Sequence, residues 1–256
     1  MRDMSTYAKE LSKLRAGVAS QVRKSSCVAG NRLLTQLSPG EIERLTPHLE
    51  ITRISPKTPL CTQAYLYFPT TALVSIIYTL ASGSTVEIGV IGNDGVVGLN
   101  TFLGGTAPGQ EVCTLAGDAF RIKLASLHAE YCRGDLLQRV LLRYSQAFLA
   151  QVAQAAVCNR FHSMEQRLCR WLLLRLDRLS SNEIAVTQDG IANMLGGRRA
   201  TVTVAAGHLQ EMGLIVCYRG RITVLDRSGL EAAVCECYWA VNQEAKSRRV
   251  GNAIRH

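Results

Sequence analysis

Residues 186–225 carry the pattern that most restricts this chain. Two short amphipathic helices are separated by a double glycine and followed by two short β-prone runs. Thr187 stands where it can cap a helix over 188–195, with Asp189 in the positive first turn. Ile191, Met194 and Leu195 share its buried side. Gly196-Gly197 ends that helix and permits a sharp turn. The spacing then predicts a second helix over 198–212, because Val202, Ala205, Ala206 and Leu209 fall at i, i+3, i+4 and i+7. Arg198, Arg199, Thr201, Thr203 and His208 are left on the other faces, the first four crowding the N-terminal half. Beyond Gly213, runs 214–218 and 222–225 flank Arg219-Gly220-Arg221, which reads as a hairpin with a basic tip.

A helix whose first turns present paired arginines can enter a DNA major groove, where Arg bonds guanine O6 and N7. Its positive end also favours phosphate. The basic hairpin would be the accompanying wing, touching backbone or minor groove. Charge distribution agrees with a nucleic-acid reading. The net formal charge is +9, with six basic and two acidic side chains in 1–30, seven and eight in 31–134, and 14 and nine in 160–256. Basic ends around a neutral middle suit a module that displaces counterions from phosphates. Helical pairs with Gly-rich turns also serve as plain packing units, and an ordinary Arg-rich surface would give the same charge. The wing and the paired arginines favour DNA.

Upstream, the pattern changes twice. Residues 1–30 read as a loosely structured basic lead-in with one short helix over 7–14. Ser38-Pro39-Gly40-Glu41 predicts a capped helix start. Over 51–125 β-branched residues dominate, with strands at 73–79 and 85–91 joined through Ala81-Ser82-Gly83-Ser84. Gly92-Asn93-Asp94-Gly95 marks another turn, and 112–124 reads as a strand pair broken at Gly117-Asp118. Such short strands imply an antiparallel sandwich or barrel. Residues 136–158 hold no Gly or Pro, and Leu137, Val140, Leu141, Tyr144, Phe148, Val152 and Ala155 step by threes and fours. That apolar stripe is wide enough for its own barrel and a second chain. A further helix over 163–179 would turn Met164, Leu168, Trp171, Leu172 and Leu176 inward and Arg167, Arg170, Arg175 and Arg178 mostly outward.

No run approaches the roughly 18 apolar residues that span a bilayer, and residues 1–24 lack the apolar stretch of a secretory leader. A cytoplasmic protein without a membrane partner is expected. Nine cysteines, odd in number and scattered, fit a reducing compartment better than a disulfide framework. Cys, His and acidic residues form no local motif of a Cys–His hydrolase, so the chain does not read as an enzyme.

The order of barrel, long helix, helix-turn-helix and wing, with Thr187-Gln188-Asp189-Gly190-Ile191-Ala192-Asn193-Met194-Leu195-Gly196 and Arg199-Ala200-Thr201-Val202-Thr203, resembles the Crp–Fnr superfamily of bacterial transcription regulators over roughly 31–230. The resemblance implies an α+β chain. Its parts are a basic extension (1–30), an antiparallel β-roll like a cyclic-nucleotide-binding domain (31–134), a dimerisation helix (135–160), a winged helix-turn-helix (161–230) and a C-terminal helix and tail (231–256). It implies a homodimer on a palindromic duplex DNA site, with RNA polymerase as a further partner. By the same resemblance Arg199 is the base-reading arginine and Thr201 a phosphate contact, while Thr203 and Val204 vary the base read. Arg198 replaces a small hydroxyl residue, keeping a phosphate contact while losing the cap. Arg219 and Arg221 complete the DNA-binding set.

Members that bind a cyclic nucleotide present Gly-Glu to the ribose and an Arg to the phosphate. Here Leu99 follows Gly98, and no Arg lies between Arg53 and Arg121. A phosphate desolvated without its cation gains little, which argues against a cyclic nucleotide and leaves no cofactor predicted. A cyclic-nucleotide-responsive regulator and a winged-helix interaction module without DNA binding are the alternative readings. An iron–sulfur site fails on spacing, since Cys27 alone precedes the barrel and Cys61, Cys113 and Cys132 are far apart. Haem has no support beyond His48, His128 or a Cys as conceivable axial ligands. Cys235-Glu236-Cys237 is read as packing of a C-terminal helix and no metal is expected, since no second Cys or His pair stands at zinc-site spacing. Residues 159–162 read as a link between two helices, with His162 either a satisfied hinge residue or part of a switch.

Overall fold

The computed structural model describes residues 29–56, 59–105 and 109–241. The expected N-terminal helix and Cys27 lie outside these residues, as does the tail beyond 241. The first helix, α1 (Pro39–Leu45), begins at a capping box in which Ser38 and Glu41 exchange side-chain and backbone bonds. Six strands follow: β1 (Glu50–Ile54), β2 (Tyr65–Pro69), β3 (Leu73–Thr79), β4 (Thr85–Ile91), β5 (Gln110–Leu115) and β6 (Gly117–Lys123). A short helix α2 (Leu99–Phe102) precedes β5, and α3 (Leu124–Tyr131) follows β6.

The strands form two antiparallel sheets ordered β1-β6-β2 and β4-β3-β5. The strand pair expected over 112–124 is therefore not a pair. β5 joins β3, whereas β6 inserts between β1 and β2. The crossing point explains the glycine there. A Cβ on Gly117 would sit 2.4 Å from the backbone nitrogen of Ala72, so only glycine lets the chain pass that close.

Helix α4 (Leu136–Phe161) runs 26 residues, about 39 Å at 1.5 Å per residue. Leu137, Val140, Leu141, Gln151, Ala155 and Cys158 are buried along it. Residues 159–161 belong to this helix, so the expected four-residue link shrinks to His162 and Ser163. Ser163 and Gln166 form a second capping box, which restarts the chain at once as α5 (Met164–Leu176).

Helix α5 is buried at seven of its 13 residues. Leu168, Cys169, Trp171, Leu172, Leu173, Leu174 and Arg175 are buried, and the same cluster takes in Leu73 and Val90 of the barrel. Arg175 and Arg178, expected on the outer face, are instead buried. Arg175 pairs with Glu87 of β4, and Arg178 pairs with Asp94 and bonds Gln151 of α4. A periodicity that assigns arginines to solvent fails here because the barrel covers that side and supplies carboxylates. Strand β7 (Glu183–Ala185) then opens the C-terminal unit: α6 (Gln188–Leu195), α7 (Arg199–Glu211), β8 (Ile215–Tyr218), β9 (Arg221–Val224) and α8 (Arg227–Ala233). Its sheet is ordered β7-β9-β8 and is antiparallel. Among the described residues no helix is long and apolar enough to cross a membrane.

Candidate nucleic-acid interface

The turn between α6 and α7 is built as its residues dictate. The Thr187 side chain accepts the Gly190 N–H and starts α6. Gly196 ends it in the left-handed region at φ 59°, and the Gly197 N–H bonds the Ala192 carbonyl at 2.9 Å. α7 follows with Arg198 at its N-cap in extended backbone and no side-chain cap. Val202, Ala205, Ala206 and Leu209 anchor it to the core. Arg198, Arg199, Thr201, Thr203 and Val204 are all exposed, Val204 by 73%. The arginine end of this helix thus faces solvent and is not packed on the barrel.

Two residues of α6 tie into that face. Asp189 lies 3.2 Å from the Arg199 guanidinium in an exposed ion pair. The Thr203 hydroxyl is 2.7 Å from Gln188 Oε1 and 3.0 Å from the Arg199 carbonyl. Sequence reasoning credited Asp189 only with a favourable helix-end position and passed over Gln188. Their pairing with 199 and 203 needs the angle between the two helices, which no local spacing encodes.

The wing is a two-residue turn, Arg219-Gly220, with φ of 44° and 74°. Positive φ at both central positions is the type that matches strand twist, and glycine accepts it without strain. Arg219 is the one described non-glycine residue in that region, and its guanidinium stands 5.0 Å from the Tyr218 ring centroid. Arg221 pairs with Glu183 of β7 at 2.6 Å. Asp189, Arg199, Tyr218 and Arg221 line one groove between the wing and the helix pair. Arg198, Arg199, Thr201, Thr203, Val204, Arg219 and Arg221 therefore lie on the exposed surface of one small unit, with the groove joining its two basic ends.

Two cavities and a thiol cluster lie outside this groove. A cavity of about 240 Å³ lies between the barrel and α4, lined by Ile76, Tyr78, Ile88, Tyr144, Phe148 and Val152 among others. Its charged wall residue is Glu111, which accepts the Gly98 N–H at 2.9 Å. A second, more open cavity separates the β3–β4 hairpin from the helix-turn-helix, reaching Arg167, Leu195 and Gly196 and sharing Tyr78, Ile88 and Val152 with the first. The other site is a thiol cluster. Cys235 precedes the final helical turn rather than riding on it, so Cys235 and Cys237 turn to one place and meet Cys158 and His162. No second Cys or His pair stands at zinc-site spacing in the sequence, and the fold instead brings Cys158 and His162 to this pair from some 75 positions away.

An antiparallel roll, a long helix and a winged helix-turn-helix follow one another along the chain. Residues 166–233 match the family model of the Crp-like helix-turn-helix domain. The fold as a whole is similar to FixK2 from Bradyrhizobium japonicum, at 17% identity over 73% of this chain and 98% of that chain, with a TM-score of 0.61. It is similar to a CRP/FNR-family transcriptional regulator from Thermus thermophilus, at 20% identity over 72% and 97% of the two chains, with a TM-score of 0.56. It is also similar to CLP of Xanthomonas campestris, a c-di-GMP responsive global regulator, at 18% identity over 74% and 100%, with a TM-score of 0.55. No curated protein matches the sequence. Residues 166–233 thus carry a Crp-like helix-turn-helix domain, and the chain shares the fold of solved CRP/FNR-family regulators.

Proposed function

We propose that the chain binds a palindromic duplex DNA site as a homodimer and answers to an effector other than a cyclic nucleotide. The observation that carries this reading is the exposed, arginine-led end of α7 beside the basic wing. Arg199 has the reach and fork geometry to bond guanine O6 and N7, with Thr203 and Val204 one turn further along the same helix. Arg198, Thr201, Arg219 and Arg221 are placed to meet phosphates.

The dimer reading draws on α4. Leu142, Leu149, Val157 and Phe161 are 46%, 68%, 45% and 74% exposed, and Ala153 and Ala156 lie open between them. Leu142, Leu149 and Ala156 lie seven residues apart, and Leu149, Ala153, Val157 and Phe161 lie four apart, as a seam between two helices requires. A twofold dimer would present two copies of α7 to two inverted half-sites. The effector reading draws on the barrel cavity, whose wall is mainly apolar and carries a carboxylate where a cyclic phosphate would need a cation.

Selection of bound sequences from random duplex DNA with the purified chain tests the proposal. Two inverted half-sites are expected, with affinity that falls steeply with salt. Recovery of no motif, together with salt-independent or absent gel shifts, would leave the winged unit as a protein-interaction module instead.

A further inference from the structure

The last turn of α4 carries Cys158, and His162 caps that helix in extended backbone, its N–H bonding the Cys158 carbonyl at 3.1 Å. The chain leaving α8 passes through extended backbone at Val234 and brings Cys235 and Cys237 back to that face. Cys158 Sγ lies 3.7 Å from Cys235 Sγ, and Cys237 Sγ lies 3.4 Å from His162 Nδ1. The four donor atoms all fall within 4.8 Å of one another. The three cysteines are at most 2% exposed, and the His162 side chain 13%.

We propose that Cys158, His162, Cys235 and Cys237 bind one zinc ion in a closed, tetrahedral, structural site. Two of the six donor separations match a zinc polyhedron, and the other four lie within 4.8 Å. With Zn–S near 2.3 Å and Zn–N near 2.0–2.1 Å, tetrahedral edges come to about 3.8 Å between sulfurs and about 3.5 Å between sulfur and nitrogen. The donor set, three thiols and one imidazole, is a known structural zinc set and too soft for magnesium or calcium. The outer partners fit as well. His162 turns Nδ1 inward and holds Nε2 3.3 Å from the Glu236 carboxylate, which fixes the ring and its tautomer. Gln154 Nε2 donates to Cys237 Sγ at 3.0 Å, stabilising a thiolate there.

Two rivals explain less. A Cys158–Cys235 disulfide would draw two sulfurs to about 2.05 Å and leave Cys237 and His162 facing each other without purpose. An iron–sulfur cluster places its ligands on different irons and spreads them further than this cluster allows. The position gives the ion a role. Its ligands bracket residues 163–234, almost the same stretch as the helix-turn-helix match. One ion would pin both ends of the winged unit to the end of the long helix, with His162 of the two-residue hinge among its ligands. The proposal rests on this geometry and not on whether the chain binds DNA.

Full-length chain produced in zinc-supplemented medium and purified without chelator is measured for metal by mass spectrometry, and a second sample is loaded with cobalt(II). About one zinc per chain is expected, with the intense sulfur-to-cobalt absorption and visible bands of a tetrahedral three-thiolate site. Cys158→Ser and Cys237→Ser should each lower zinc retention through chelator dialysis at least tenfold, and Cys217→Ser, on β8, should not. The cobalt spectrum of the unaltered chain reads the ligand set even where a variant fails to fold. Folded chain that takes up neither metal would overturn the proposal, as would an octahedral cobalt spectrum or a 158–235 disulfide in anaerobically purified protein.

Discussion

Arg175 of α5 bonds Glu87 of β4 at 2.5 Å, with the two side chains 2% and 7% exposed. The guanidinium also lies 3.5 Å from the Trp171 ring centroid and donates to Ser75 at 3.3 Å. Burial holds the Arg175 pKa below its ordinary value, and the Glu87 charge opposes that shift. The helix that leads into the C-terminal unit is thereby joined to the barrel by a desolvated ion pair. Removing one partner of such a pair costs about 3–5 kcal/mol, because the other charge stays buried alone. Glu87→Gln or Arg175→Met should lower the urea midpoint accordingly, and the combined Arg175→Met, Glu87→Leu change should recover most of the loss. Single variants as stable as the parent would show that the pair opens to solvent.

On the DNA face, Arg199→Ala should cost about 1–3 kcal/mol on the selected site and relax the preference at one base per half-site. Arg219→Ala should weaken all sequences alike and lower the steepness of the salt dependence by about one counterion per lost contact. Competition gel shifts over a salt series separate the two behaviours. If Arg199→Ala left the selected site's advantage intact, α7 would not be the reading helix.

Most of the elements on this face could be read without coordinates, because each is fixed locally. The Thr187 cap, the Gly196 turn and the buried set Val202, Ala205, Ala206 and Leu209 are all properties of neighbouring residues. What escaped depends on elements distant in sequence. Arg175 and Arg178 look like a solvent face until the barrel closes over them, and residues 112–124 look like a hairpin until β6 is seen between β1 and β2. Cys158 and Cys235 are 77 positions apart, so their meeting cannot be read from spacing at all. The short strands β2 and β7 lack the β-branched runs that announce β3 and β4, and their place is set by the strands they pair with.

Leu149 stands 68% exposed in the middle of α4. Leu149→Glu would place a charge at the centre of an apolar seam, where desolvation without a partner is expensive. Sedimentation equilibrium should show a dimer for the parent chain and a monomer for the variant, with circular dichroism unchanged. An equally dimeric variant would move the interface elsewhere.

His208 on α7 lies 2.5 Å from Glu165 on α5, a bond that raises the imidazole pKa. A pKa raised by folding means the bond stabilises the protonated form. Its contribution is complete below the unfolded-state pKa and is lost as pH rises through the higher folded value. Glu165→Gln should return the His208 titration, followed by NMR, toward the ordinary imidazole range. An unchanged midpoint would remove the bond from solution.

Tyr78, Ile88 and Val152 line both the barrel cavity and the open cavity that ends at Gly196. Only one layer of side chains divides the two spaces, and Thr85 on the same hairpin donates to the Asn193 carbonyl of α6. Whatever displaces that partition from the inside must reshape the floor on which the helix-turn-helix rests. Communication between the halves of this molecule needs no long relay, since the three residues that wall the barrel cavity also wall the space beneath the helix-turn-helix.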